Sequence, residues 1–182
     1  MLLSLDDDGL PLGLRKFTAL APLGSATALI GNGKLVCTGA SCLSGLAATL
    51  AHDLAEGATG QGGYPISGDL RPEIFRDDCR FVDPTNDVAS LSRYQKALTI
   101  LFEPSLSSVR LVEGPAVDEA SRTIKATIRS VGVLKLPWKP VIKPWESYLV
   151  WTIDDTGLIS EQAQTWNITA ADALLQTFGV TS

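Results

Sequence analysis

Apolar residues recur with two different periods along this chain, and the change of period divides it. From Ser44 to Glu56, Leu46, Leu50 and Leu54 fall on one stripe at i, i+4 and i+8, which predicts a helix closed by Gly57, Gly60, Gly62 and Gly63. Asp69, with Pro72 soon after, predicts the cap of a short helix whose Ile74 and Phe75 face inward. The run from Phe75 to Pro84 reads as the end of that helix, a brief strand from Cys79 to Val82, and a turn. Asp83, Pro84, Thr85, Asn86 and Asp87 supply the turn chemistry. Ser90 then caps a helix carrying Leu91, Tyr94, Leu98 and Leu101 on one face, and Pro104 stops it.

Beyond Pro104 the period shortens to two. Val109 to Glu113 is the first of four expected strands, and the second is long, from about Arg122 to Lys135. Ile124, Ala126 and Ile128 alternate there, after which Val131 and Val133 fall on the other parity. A slip of one residue around Ser130 to Gly132 predicts a bulge that bends the strand. The third strand, Glu146 to Asp154, puts Leu149, Trp151 and Ile153 on one face; the fourth runs from Leu158 to Ile168. Thr169 caps a last helix from about Ala170 to Phe178. Helices followed by a curved antiparallel sheet make an α+β arrangement with a concave face.

The first 43 residues have a different character. Between Phe17 and Ala51 the only charge is Lys34, yet Pro22, Gly24, Gly31, Gly33, Gly39 and Gly45 interrupt the apolar run. Neither uncharged half reaches the 18 or so clean apolar residues of a spanning helix. Asp6, Asp7 and Asp8 are wrong for a secretory signal and fit a plastid transit peptide poorly. Residues 1–43 are therefore expected to be an Ala/Gly-rich leader or flexible extension, with an ordered docking arm as the alternative. Residues 44–182 are expected to form the domain.

Composition excludes some partners. The net charge is −5 over 182 residues and no basic run occurs, which argues against nucleic acid. Cys37, Cys42 and Cys79 do not make a disulfide framework. Cys37 and Cys42 have a spacing that permits pairing, but three ordinary thiols in a reducing compartment are the default expectation. With His52 the only histidine, the two are one ligand short of a zinc site, and neither metal nor cofactor is expected.

Several segments together carry a resemblance. The pattern Phe-x-Asp-Asp-x-x-x-x-Asp-Pro at Phe75 to Pro84, the helix with Tyr94, the bent sheet and a last strand ending Thr165-Trp166-Asn167-Ile168 resemble the nuclear transport factor 2-like (SnoaL-like) superfamily. Gly68-Asp69-Leu70, the run from Asp77 to Asn86 and Leu134-Lys135-Leu136-Pro137-Trp138 resemble its uncharacterised plant, algal and cyanobacterial branch. The resemblance covers about Tyr64 to Phe178. It implies a cone: a curved sheet wrapped by helices around a pocket, a fold that hosts isomerases, dehydratases, ligand carriers and interaction domains. It also implies a chloroplast setting, stroma or thylakoid surface; without it the expectation is a soluble intracellular protein.

Three functional readings follow. In the ketosteroid isomerase branch the last Asp of the pattern is a general base, so the resemblance gives Asp83 that role, in an isomerase or lyase working by proton abstraction. No Tyr lies between Ser44 and Gly63, and the long strand carries no Asp, so the donors that would stabilise an enolate are missing. Each such donor contributes on the order of 3 kcal/mol. The alternative for Asp83 is a cap of its own turn. Phe81, Tyr94, Trp151, Gln162, Gln164 and Trp166 are expected around the pocket, where a carrier would hold a small apolar ligand. The connector from Pro137 to Trp145 holds Pro137, Pro140 and Pro144, which argue against a regular ladder, and two rings at its ends, Trp138 and Trp145. These suit a protein interface, or else fold back over the mouth of the cone. The leading expectation is a non-catalytic module docking on a larger assembly, by resemblance a photosynthetic membrane complex; a homodimer through the sheet is a further possibility.

Overall fold

The structure, a computed structural model, describes residues 27–29 and 33–178. Strands β1 (Thr27–Leu29) and β2 (Leu35–Cys37) form an antiparallel pair before helix α1 (Ala40–Ala55). A short helix α2 (Tyr64–Ser67) and a 3-10 turn (Pro72–Ile74) lead into β3 (Phe75–Val82) and β4 (Asp87–Ala89). Helix α3 (Leu91–Leu101) precedes β5 (Ser108–Asp118), β6 (Thr123–Val133), β7 (Val141–Ile153) and β8 (Ile159–Trp166), and α4 (Ala170–Thr177) follows.

The main sheet has six strands in the order β4-β3-β8-β7-β6-β5. It is mixed rather than wholly antiparallel, because β3 runs parallel to β8 while every other neighbouring pair is antiparallel. Helix α1 packs over β5 and β6, α3 over β3 and α4 over β7. The α+β cone expected from the chain is the architecture found.

The buried faces explain the elements. On α1, Leu46, Leu50 and Leu54 are buried, the last two completely, against Ile124, Ile128 and Leu149 of the sheet. The expected slip in β6 is real: Ser130 pairs with Trp145, Gly132 pairs with Ile142, and the register shifts between them. Ser90 caps α3 by accepting from the Arg93 amide at 3.4 Å, and Thr169 with Asp172 forms a reciprocal capping box on α4.

Five expectations change. Helix α1 begins at Ala40 rather than at about Ser44, and Lys34 ahead of it is tied to the body. Lys34 Nζ lies 2.6 Å from Asp77 and donates to the Pro72 carbonyl at 2.9 Å. Residues 1–26 of the expected leader or docking arm lie outside the described residues. Cys37 and Cys42 form a disulfide, with Cα atoms 5.3 Å apart, so they are not free thiols, and Cys79 is a buried free one. The run from Phe75 to Asp78 is strand, not helix end. Asp69 caps nothing downstream; its carboxylate accepts from the Thr59 and Gln61 amides at 2.8 and 3.0 Å and pins the glycine-rich loop. Finally, the proline connector is half strand: β7 starts at Val141, and Pro144 falls in the register shift, where a missing N–H is tolerated. No described helix is long and apolar enough to cross a membrane.

Candidate functional site

The concave face of the sheet, α3 and α4 enclose a cavity of about 280 Å³. Strand parity builds one wall. Residues at alternate positions of β7 point inward, so Trp145 lines the cavity, and the same parity on β8 brings in Gln164 and Trp166. Helix α3 contributes Tyr94, Leu98 and Leu101, and α4 contributes Ala170, Ala173 and Thr177. The turn after β3 places Asp83, Thr85 and Asn86 at the rim, next to Phe81.

Of the residues expected around the pocket, Phe81, Tyr94, Gln164 and Trp166 line it, as does Asp83. Trp151 and Gln162 do not: both are buried behind the wall, 0% and 2% exposed. There they join a hydrogen-bonded group. Tyr64 donates to Gln162 Oε1 at 2.8 Å, Trp151 Nε1 donates to the same oxygen at 2.9 Å, and Gln162 Nε2 reaches the Tyr94 hydroxyl at 3.1 Å. Burial raises both tyrosine pKa values, so both phenols stay neutral through physiological pH. Burial likewise pushes the Cys79 thiol up to about 12, which keeps it inert.

Asp83 behaves as a turn residue. Its Oδ1 accepts from the Thr85 amide at 2.7 Å, the Thr85 hydroxyl at 2.6 Å, the Asn86 amide at 2.9 Å and the Asn86 side chain at 3.3 Å. Only Oδ2, with a single 3.3 Å contact to Asn86, retains acceptor capacity.

The two connector tryptophans part company. Trp145, expected either at a partner surface or folded back over the mouth of the cone, is 7% exposed, donates to Ser147 Oγ at 3.1 Å and packs near Phe102. Its position on the inward parity of β7 decides this. Trp138 stays outside, 60% exposed, with its indole N–H on the Thr177 carbonyl at 3.0 Å.

Sequence reasoning missed Tyr64 and Ser147. Tyr64 stands one residue past Gly63, where the expected first helix and its closing glycines end, and α2 carries it into the buried core. Ser147 shares the inward parity of Leu149 and Trp151, a signal available in the sequence. It accepts from Gln164 Nε2 at 2.9 Å as well as from Trp145. Among the described residues no group of His, Cys, Asp and Glu is placed to hold a metal ion.

No family model matches the chain, and no curated protein matches it. Solved structures do. A nuclear transport factor 2-like superfamily protein from Salmonella enterica serovar Typhimurium is 12% identical, with a TM-score of 0.51 over 71% of this chain and 94% of that one. A protein from Catenulispora acidiphila with a ketosteroid isomerase-like fold, solved with trimethylamine, is 12% identical, covers 71% and 88%, and has a TM-score of 0.45. The BvnE pinacolase of Penicillium brevicompactum is 15% identical, covers 63% and 79%, and has a TM-score of 0.46. At these identities the likeness concerns the fold. The chain has the nuclear transport factor 2-like fold, an α+β cone closed around a cavity.

Proposed function

We propose that this protein binds a small, predominantly apolar molecule in the cone. The observation that carries the reading is the cavity itself, about 280 Å³ and walled mainly by Leu98, Leu101, Leu134, Ile142, Trp145 and Trp166. Apolar walls with a few placed polar groups are the ordinary composition of a small-molecule site. Leaving such a volume unfilled forfeits dispersion contacts that a packed core would make, a cost that a ligand offsets.

The test is a titration of the full chain with 2-isopropenylnaphthalene, followed by the emission of Trp145 and Trp166. Saturable one-to-one binding is expected, as is an apolar compound in the solvent extract of protein purified from its native source. No saturable binding and an empty extract would overturn the reading.

A docking role has one observation in its favour. Trp138 and Phe178 are 60% and 68% exposed, and Trp138 is tied to the carbonyl of Thr177, the neighbour of Phe178. A rigid apolar pair of this kind suits a protein partner. The resemblance to the plant, algal and cyanobacterial branch supports a plastid partner, a photosynthetic membrane complex among the candidates. The base reading of Asp83 has less support, because the turn already uses most of its carboxylate.

A further inference from the structure

The connector between β6 and β7 meets the C-terminal ends of two helices. The Lys135 amide donates to the Leu101 carbonyl at 2.9 Å, and its amine donates to the Thr99 carbonyl at 2.7 Å, which ties the connector to the end of α3. The Lys143 amide donates to Gln176 Oε1 at 2.7 Å and the Trp138 indole to the Thr177 carbonyl, which ties it to the end of α4. Ile100, Leu101, Trp138, Val141, Leu175 and Phe178, contributed by these three segments, are all exposed.

Lysines stand among these side chains at every fourth position: Lys135, Lys139 and Lys143, all exposed. No Asp or Glu occurs from Leu134 to Trp145, in a chain whose net charge is −5. Lys139 and Lys143 enter no ion pair among the described residues. Cations set among exposed apolar and aromatic groups match the surface of an anionic bilayer, where Trp rings settle at headgroup depth and Lys stems lie along apolar surface. The backbone favours lipid over a protein partner. A segment that enters the apolar boundary has to satisfy its own N–H groups, because lipid chains offer no acceptors. Pro137, Pro140 and Pro144 carry no N–H. The amides of Lys135, Lys139 and Lys143 are all bonded within the protein, that of Lys139 to the Leu136 carbonyl at 2.9 Å, and Val141 and Ile142 pair with β6. Trp138 likewise spends its indole N–H on Thr177, so the exposed part of its ring is hydrocarbon.

We propose that this surface docks on the headgroup region of an anionic lipid bilayer, with Trp138 and Phe178 entering the apolar boundary and Lys139 and Lys143 facing the lipid phosphates. The proposal claims for lipid the two rings that a protein-docking role would use, and it does not rest on the ligand-binding reading.

Cosedimentation of the full chain with two vesicle preparations tests it: phosphatidylcholine alone, and equal parts phosphatidylcholine and phosphatidylglycerol. Wild type is expected to bind the anionic vesicles at least about tenfold more tightly than the neutral ones. That preference should vanish at about 0.5 M sodium chloride. Lys139→Gln combined with Lys143→Gln is expected to bring anionic binding down to the neutral level. Trp138→Ala combined with Phe178→Ala is expected to weaken binding to the anionic vesicles about tenfold. A measurement on wild type alone uses anionic vesicles whose acyl chains are brominated near the headgroup, which should quench the emission of Trp138. It decides by itself if the ring variant does not fold, and unquenched emission overturns the proposal. Equal binding to the two preparations overturns it, as does binding to neither. Binding that survives the loss of both rings, or an anionic preference that survives the loss of both lysines, also overturns it. Self-association or capture of a protein through Trp138, without vesicle binding, overturns it in favour of the protein-docking reading. The naphthalene titration of the cavity is a separate measurement, so failure here leaves the ligand-binding reading standing.

Discussion

Asp83 Oδ1 gathers four hydrogen bonds from two residues, Thr85 and Asn86, and this local economy decides what the side chain does. The turn it holds carries β3 into β4 and forms the rim of the cavity. Asp83→Ala removes all of those acceptors at once and is expected to cost about 1–2 kcal/mol, read as a lowered urea midpoint. Asp83→Asn keeps an acceptor oxygen in place and is expected to cost less. If Asp83 were a base, wild type would exchange the methyl protons of 2-acetylnaphthalene with deuterium faster than Asp83→Asn does. Equal exchange is the expected result. The turn was legible because every partner of Asp83 lies within three positions of it. The Tyr64, Trp151 and Gln162 group was not, because its members come from α2, β7 and β8. Nothing near Gln162 in sequence distinguishes it from Gln164, yet one is sealed behind the wall and the other lines the cavity.

At the scale of elements, the β6–β7 pair shows what periodicity can and cannot give. The change of parity around Ser130 to Gly132 was readable, since a bulge shifts every later side chain by one face. The length of β7 was not, since Pro144 reads as a breaker until the partner strand is known to bulge opposite it. The start of α1 was hidden for a different reason. Its N-cap is Gly39, which makes no side-chain cap, so no Ser, Thr, Asp or Asn signal marks Ala40. Gly132 is the element's most constrained position. A Cβ there would stand 2.6 Å from Phe102 Cε1 and 3.2 Å from Trp145 Cη2, rings that are themselves packed near each other. Gly132→Ala is expected to lose about 1–3 kcal/mol and to alter the near-ultraviolet circular dichroism of Trp145. A variant as stable as wild type, with an unchanged spectrum, would mean that the bulge has room to give.

For the whole molecule the question is whether the cavity is a packing defect or a site, and no sequence pattern reports an empty volume. It exists because α3 and α4 close against different strands of a sheet bent at the bulge, leaving their small residues, Ala97 and Ala173, facing the gap. Filling it separates the two cases. Ala173→Leu adds buried methyl and methylene groups from α4, expected to raise stability by about 1–2 kcal/mol. For a domain of this size that is a rise of roughly 2–8 °C in Tm by scanning calorimetry. Ala171→Leu, on the exposed side of the same helix, controls for propensity and should change little. The same Ala173→Leu protein should bind 2-isopropenylnaphthalene at least about tenfold more weakly, because lost free volume excludes the probe. Gain in stability together with loss of binding is the signature of a site maintained against the pull of tighter packing. Unimpaired binding in Ala173→Leu would place the probe elsewhere on the protein. A loss of stability would mean that α4 cannot absorb the larger side chain, and that the wall is already rigid around its present volume.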